Sequence, residues 1–371
     1  MQHSHLHHLL SFLYAAGMSD ASRLPASGES NPVPPAPVPG DMVSDRLETR
    51  SAQSEPTAAF PPLPERMLDE YDLGMPRRRR VVPLVLFLAT CFFTYAAGTY
   101  HWKPVAFGMQ IDQQRGEYWN LAGTLRQLGA NWADGLMYSA CVMAILMAHE
   151  MGHFVMTVRH RVPASYPIFI PMPMMVMGTM GAVIGMEGFR ANRRQMFDIG
   201  LAGPLAGLVL TIPMVWIGIK TAQHVVPQQG QPAFGDPLLA KLLIGWLRPD
   251  LPAGHELVVN PVYMAGWVGM FVTGLNMLPV SQLDGGHVIY ALFLNVGRWM
   301  ARIFLLSAIA FVVIAQQYSW TLMIVIVTLI GVDHPRTADD SVPLGWWRTA
   351  LGIASLAIPV LCFTPFLLYV E

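Results

Sequence analysis

The chain has 371 residues and a formal net charge of −1, and 53% of its residues are hydrophobic while 13% are charged. Soluble globular proteins carry about 25% charged residues, so this composition excludes an ordinary soluble domain. The near-zero net charge and the lack of a basic stripe give no reason to expect nucleic acid as a partner. Cys91, Cys141 and Cys362 lie far apart in apolar segments, which predicts small core residues and no cysteine-based zinc site.

The first 80 residues differ in composition from the rest of the chain. Residues 19–76 are rich in Pro, Ser, Ala and Gly and show no hydrophobic period. Such a segment cannot bury enough apolar surface to offset its ordering entropy, so we predict a disordered tail over residues 1–80. Its acidic residues argue against an organelle transit peptide, and we expect a bacterial-type plasma membrane. Met1 and Met18 are both possible starts.

Long apolar segments follow the tail. Residues 81–100 contain no charge, and about 20 such residues cross a hydrocarbon layer of about 30 Å as a helix. Similar segments, together with a helical hairpin broken near Gln316–Tyr318, predict an all-α polytopic membrane protein with six to eight transmembrane helices. These segments are residues 135–158, 197–219, 262–282 and 347–369. We expect a membrane core over residues 81–334, then a cytoplasmic turn and a C-terminal transmembrane helix over 335–371.

The basic residues predict the orientation. Arg77–Arg80 stand directly before the first span, which places the N-terminus in the cytoplasm. With alternating spans, residues 149–153 and residues 284–287 then lie at cytoplasmic ends of their helices. Two polar clusters that are distant in sequence are therefore expected at the same membrane depth.

The second apolar segment contains His149-Glu150-x-x-His153. Positions i and i+4 share one face of a helix, so both imidazoles can hold one metal ion while Glu150 acts as general base on water. Ionisable groups inside a span are costly and usually mark a functional site. The alternative is a polar cluster that hydrogen-bonds between helices.

A catalytic zinc ion needs three protein ligands, and Asp284 is expected at the same depth as the histidines. His287 is its main competitor as the third ligand. Gly285 is expected, with Gly286, to break the helix and let the backbone approach the metal. Asn276 is placed on the same element, where either a role in the site or a hydrogen bond between helices fits its position.

Residues 165–188 are predicted to form a re-entrant element. Prolines at 163, 167, 171 and 173 rule out a regular helix, and the following GTMGAVIGM favours a short strand. A strand at membrane depth must be covered by protein or line a cavity, and its free edge could pair with an extended substrate. A purely structural hairpin is the alternative. A further segment, FDIGLAGPLAG (197–207), offers small residues for helix packing, and we expect Asp198 to cap or to pair with Arg193 or Arg194.

Together these motifs resemble the site-2 protease family of intramembrane zinc metalloproteases. The resemblance rests on His149-Glu150-x-x-His153, on Asn276-x-x-Pro279-x-x-x-Leu283-Asp284-Gly285, and on the two stretches 178–188 and 197–207. It implies that His149, His153 and Asp284 bind one Zn²⁺, that Glu150 is the general base, and that Asn276 assists the reacting carbonyl. Because the resemblance selects Asp284 as the third ligand, it implies that His287 lies outside the ligand set as a supporting or surface group. It also implies substrate binding along a strand, for which the tentative residues are Gly178, Thr179, Gly181, Ala182, Val183 and Ile184.

The resemblance implies an endopeptidase that cuts peptide bonds in or near transmembrane segments of membrane-tethered proteins, with the lipid bilayer as its environment. The principal alternative is a non-catalytic membrane protein that binds transmembrane clients on the same fold. A metal transporter would need more ionisable residues through the membrane depth. A prenyl-type membrane metalloprotease would need a downstream glutamate ligand, and the candidates Glu187 and Glu256 lack a matching helical context. The sequence predicts no substrate identity and no oligomeric state.

Overall fold

A computed structural model describes residues 77–103, 109–112, 116–173, 176–226, 232–280, 283–331, 337–366 and 368–370. The disordered tail predicted over residues 1–80 lies outside these residues except for its last four. The described part is mostly helical. Its helices, in chain order, are α1 Arg77–Thr99, α2 Leu121–Ala130, α3 Trp132–His160, α4 Arg193–Thr221, α5 Leu238–Leu247, α6 Pro261–Asn276, α7 Asp284–Phe293, α8 Asn295–Ile314, α9 Thr321–Ile330, α10 Trp346–Ser355 and α11 Ala357–Cys362.

Four helices among the described residues are long and apolar enough to cross a membrane. They lie at Val81–Thr99, Trp132–His160, Arg193–Thr221 and Val296–Ile314. The chain is therefore a membrane protein with helical spans, as its composition predicts. The finer count of six to eight spans stays a prediction, because the remaining apolar helices are shorter than 18 residues.

Helices α3, α4 and α6 pack against one another through small residues. A Cβ added at Gly152 of α3 would meet the Ala202 carbonyl and the Ala206 methyl group of α4. A Cβ added at Gly266 or Gly269 of α6 would meet residues of α4 or α3. Because these positions carry no side chain, the helix backbones come close together. The close approach brings the polar residues of the three helices within reach of each other.

The strands form two-stranded antiparallel pairs. Their bounds are β1 Met109–Asp112, β2 Gly116–Trp119, β3 Ile168–Pro171, β4 Thr179–Val183, β5 His224–Val225, β6 Pro232–Phe234, β7 Glu256–Leu257 and β8 Leu368–Val370. In the β3–β4 pair, Ile168 lies opposite Val183 and Phe169 opposite Ala182, with an irregularity before Pro171. The prediction of a non-helical segment at 163–173 followed by a short strand is confirmed.

Three local predictions differ from the structure. Asn276 ends α6 and Asp284 begins α7, so the two do not share one helix. The chain leaves the helix before Gly285, which lies inside α7 and approaches the Met277 and Leu278 carbonyls because it has no Cβ. The predicted span over 347–369 is not one helix, since α10 ends at Ser355, α11 ends at Cys362, and β8 pairs with β6. The predicted break near Gln316–Tyr318 does separate α8 from α9.

Candidate metal centre

Helix α3 carries three buried polar residues on neighbouring turns. His149, Glu150 and His153 are 2%, 4% and 9% exposed. Because positions 149 and 153 are one turn apart, their rings lie on the same face, with centroids 5.0 Å apart. Burial of three ionisable side chains within a membrane-spanning helix is costly, so their partners decide what the cluster can do.

Asp284, the first residue of α7, faces both histidines. Its Oδ2 lies 3.1 Å from His149 Nε2, and its Oδ1 lies 3.3 Å from His153 Nε2. His153 Nδ1 lies 2.8 Å from the carbonyl oxygen of Ile199 on α4. A carbonyl can only accept, so Nδ1 carries a proton, which leaves Nε2, facing Asp284, as the nitrogen that a metal ion can bind. A ligating histidine is normally fixed by such a bond from its second nitrogen.

Asn276 reaches the same point from the end of α6. Its Nδ2 lies 3.3 Å from His149 Nε2. The residue thus stands beside the histidine–aspartate cluster although it is 127 positions from His149. This contact is a hydrogen bond between two helices and also places the amide beside the cluster, so it fits both roles that the sequence leaves open for Asn276.

The donor set fits a zinc ion. His149, His153 and Asp284 each offer one ligand atom, and these atoms all lie within 4.8 Å of one another. Two imidazole nitrogens and one carboxylate oxygen are a ligand set that catalytic zinc accepts, with a fourth position open. The proton on His153 Nδ1 leaves the correct nitrogen for the metal. The predicted ligand residues are therefore brought together in a geometry that can hold the ion.

A cavity of about 130 Å³ adjoins the cluster. Glu150 and Asn276 line it together with the three candidate ligands, and Ala182, Val183 and Ile184 line it from β4 and the residue after it. The other tentative substrate residues do not line this cavity. Gly178 packs against the backbone of Phe93, Thr179 is buried with its hydroxyl on the Ile170 carbonyl, and Gly181 follows with φ +105°.

The small residues of α4 contact the histidines directly, which the sequence did not predict beyond helix packing. A Cβ added at Gly203 would overlap the His153 imidazole, and one at Gly207 would lie 3.1 Å from His149 Nδ1. The spacing of positions 200, 203 and 207 gives a small-residue face, but nothing in it identifies what lies opposite. These glycines make the room that the two imidazoles occupy.

His287 is buried and lines the same cavity, so it is not a surface group. It lies one turn after Asp284. A Cβ added at Gly200 of α4 would lie 2.7 Å from the Cβ of His287. Among the described residues, the group whose ligand atoms converge contains His149, His153 and Asp284 without His287. The competitor predicted from the sequence therefore lies beside the candidate centre and outside its converging ligand set.

Asp198 has different partners from those predicted. Its carboxylate accepts two hydrogen bonds from Arg348 of α10, at 2.7 and 2.9 Å, and lies 3.1 Å from His160 Nε2. Arg193 instead donates to the carbonyls of residues 291 and 292, and Arg194 donates to that of residue 343. The ion pair links the start of α4 to α10 and to the end of α3, a connection that sequence neighbours could not indicate.

Comparison with known proteins shows which family and which relatives this chain resembles. The model described as Peptidase family M50 matches residues 137–316. "Probable zinc metalloprotease EGY1, chloroplastic" of Oryza sativa subsp. japonica is 30% identical over 306 residues, which cover 77% of this chain and 50% of that protein. Its namesake in Arabidopsis thaliana is 30% identical over 237 residues, 60% of this chain and 42% of that protein. "Probable zinc metalloprotease EGY2, chloroplastic" of Arabidopsis thaliana is 27% identical over 248 residues, 63% of this chain and 42% of that protein.

The chain spans about half the length, or less, of these curated relatives. The family and the names of the relatives imply zinc as the cofactor, which agrees with the donor set. The matched residues contain the whole candidate centre, from His149 on α3 to Asp284 on α7. Residues 137–316, just under half of the chain, match peptidase family M50, which is the site-2 protease family that the sequence motifs resemble.

Proposed function

We propose that the chain is a zinc-dependent endopeptidase that hydrolyses peptide bonds in or near transmembrane segments of membrane-tethered proteins. One observation carries the proposal: His149, His153 and Asp284 converge next to Glu150 at a cavity inside a set of membrane-spanning helices. Ligands that converge at a cavity leave room for a substrate beside the ion. The non-catalytic alternative gives no reason for a carboxylate at position 150.

The three converging residues are the proposed ligands, each through one atom. When bound, zinc supplies a Lewis acid that activates water and polarises the carbonyl group to be attacked. The hydrogen bond from His153 Nδ1 to the Ile199 carbonyl holds the ring so that Nε2 faces the ion's position. Ile199 of α4 is therefore part of the support of the site.

Glu150 is the proposed general base. It lies beside His149, lines the cavity, and is 4% exposed. It takes a proton from the attacking water, and it gives that proton to the amine that leaves when the peptide bond breaks. The carboxylate is then regenerated, and the products are one new carboxyl group and one new amine. A positioned base of this kind contributes about 10²- to 10⁴-fold to a rate.

Asn276 is proposed to donate a hydrogen bond from Nδ2 to the oxygen of the attacked carbonyl. The amide lines the cavity and lies 3.3 Å from His149 Nε2, so it is close to the position of the reacting group. A fixed donor stabilises negative charge as that charge develops on the oxygen.

Substrate is proposed to bind in extended form next to β4. A helical substrate hides its carbonyl groups in its own hydrogen bonds, so local unwinding must precede attack. Ala182, Val183 and Ile184 line the cavity, and β4 pairs with β3 on one side. Its other edge is suited to pair with an unwound segment. Gly178, Thr179 and Gly181 are proposed to support this strand.

The membrane arrangement belongs to the same proposal. It comprises a core over residues 81–334, six to eight spans, a cytoplasmic N-terminus and a C-terminal transmembrane segment. The relatives are named chloroplastic, so they give no support to a bacterial-type plasma membrane, and we propose no particular membrane. Transmembrane proteins are the proposed substrates.

The test compares purified wild type with Glu150→Gln for bound zinc and for cleavage of a panel of tagged transmembrane segments. Glu187→Gln is the matched control, because Glu187 is partly exposed and paired with Arg190. We expect about one zinc per chain in all three proteins and cleavage in wild type and the control alone.

Three outcomes would contradict the proposal. Full cleavage by the Glu150→Gln variant would show that Glu150 is not the general base. Wild type that binds no zinc under metal-replete conditions would favour the non-catalytic binding protein. Loss of zinc in Glu187→Gln would instead favour the prenyl-type arrangement with a downstream glutamate ligand.

A further inference from the structure

A second and larger cavity lies at the opposite end of α6 from the candidate centre. Its volume is about 680 Å³, which is the size of a pocket for a small molecule. Tyr263 lines it near the start of α6, whereas Asn276 lies at the end of that helix. At a rise of about 1.5 Å per residue, the two are about 20 Å apart along the helix axis. The cavity is thus separate from the metal centre.

Aromatic side chains form the inner wall of this cavity. Trp102, Tyr263 and Trp267 line it and are 3%, 4% and 0% exposed. Trp267 donates its indole N–H to the Gly235 carbonyl, but the buried indole N–H of Trp102 has no hydrogen-bond partner among the described residues. His101 and Trp102 have φ +51° and +54°, a backbone conformation that costs energy in residues other than glycine. The backbone is therefore strained at Trp102, the residue whose indole forms part of the cavity wall.

Two opposite charges stand beside the aromatic wall. Asp236, which precedes α5, accepts a hydrogen bond of 2.6 Å from Tyr263 on Oδ1. Burial raises the pKa of Asp236, while the Tyr263 hydroxyl and the nearby Lys241 ammonium oppose that rise. Lys241 is on the first turns of α5 and lines the cavity as well. Carboxylate, ammonium and aromatic faces together match a ligand that carries both a cation and an anion.

Helix α5 presents a separate apolar stripe to its surroundings. Leu238, Leu242 and Trp246, at intervals of four residues, are 44%, 57% and 73% exposed. The helix has ten residues, about 15 Å, which is too short to cross the hydrocarbon layer. A short helix with an exposed apolar stripe and a tryptophan is suited to lie at the membrane boundary in contact with lipid. Lipid headgroups would then be within reach of the cavity beside this helix.

We propose that this cavity binds the zwitterionic headgroup of a membrane phospholipid. The ammonium group lies at Asp236 against the aromatic wall, the phosphate lies at Lys241, and the acyl chains follow the apolar stripe of α5. The assignment is independent of peptide hydrolysis, since none of these residues belongs to the metal centre.

The experiment titrates the full-length protein in detergent with lipids and follows binding by native mass spectrometry. The probes are phosphatidylethanolamine, phosphatidylglycerol and soluble phosphoethanolamine. Wild type is expected to bind phosphatidylethanolamine at least tenfold more tightly than phosphatidylglycerol. Asp236→Asn should lose this preference, because the ammonium loses its carboxylate, whereas Lys241→Gln should weaken both lipids, because each carries a phosphate. Asp250→Asn is the matched control, as Asp250 is exposed, pairs with Arg248 and does not line the cavity.

Equal affinities of wild type for the two lipids, or a preference that survives Asp236→Asn, would overturn the proposal. Soluble phosphoethanolamine that binds as tightly as the lipid would overturn the lipid assignment in favour of a small-molecule site. If Asp236→Asn does not fold, lipid binding by Lys241→Gln tests the assignment instead. Lys241 is an exposed side chain, so this substitution should leave the fold intact. Unchanged lipid affinity in that variant would also refute the assignment.

Discussion

Gly203 is the position where one added methyl group should act directly on the candidate metal centre. In Gly203→Ala the new Cβ would overlap the His153 imidazole, with Nε2 as the nearest atom. The ring is held on its other side by the bond from Nδ1 to the Ile199 carbonyl, so it cannot turn away without losing that bond. Because Nε2 is also the atom that faces Asp284, the substitution should disturb zinc binding before it disturbs the fold.

The magnitude follows from the cost of overpacking. Inserting a methyl group into a well-packed site costs about 1–3 kcal/mol. Since about 1.4 kcal/mol corresponds to a factor of ten in an equilibrium constant, zinc affinity should fall about 5- to 150-fold. Cleavage measured at limiting zinc should fall by the same factor, because the ion is lost and the base remains in place.

Two further glycines on helices provide a graded series. In Gly207→Ala the Cβ would lie 3.1 Å from His149 Nδ1, which requires only a small shift, so zinc affinity should fall less than in Gly203→Ala. In Gly129→Ala nothing lies within 4 Å of the new Cβ, and affinity should be unchanged. A competitive titration with a chromophoric chelator measures all three. Wild-type affinity in Gly203→Ala, or an equal loss in Gly129→Ala, would refute the reasoning.

Three other substitutions separate the remaining parts of the structure. Asn276→Ala should retain zinc while cleavage falls about 10²- to 10³-fold, because a donor to the developing oxyanion is lost; unchanged cleavage would end that assignment. Arg348→Ala removes two hydrogen bonds from the Asp198 carboxylate and leaves it with the His160 imidazole as neighbour. The free energy of unfolding should fall by about 1–3 kcal/mol, measured by chemical or thermal unfolding with zinc content as a control. In Gly181→Val the new Cβ would make an ordinary contact with Val272 Cγ1 at 3.9 Å, but φ is +105°, so the substitution should strain β4 and reduce cleavage with zinc retained. Full cleavage would argue against a role of this strand in substrate binding.

Much of this protein follows from its sequence alone. Uncharged runs of about 20 residues predict membrane spans because burial of backbone polar groups in lipid requires helices. The prolines between 163 and 173 exclude a helix there for a local steric reason, and a short strand does follow. The pair His149 and His153 predicts its own geometry, since a spacing of four residues fixes two side chains on one helix face. Each of these inferences depends on residues that are near in sequence.

The tertiary structure decided what depends on distant residues. Asp284 meets His149 across 135 positions, which requires the break between α6 and α7 and the packing of α7 against α4. The small residues near position 203 predict close packing, but only the fold shows that an imidazole occupies the space. Asp198 likewise pairs with Arg348, 150 positions away, because helix packing brings α10 to the start of α4. Local periodicity carries no information about which faces meet, so these contacts could not be obtained before the helices were assembled.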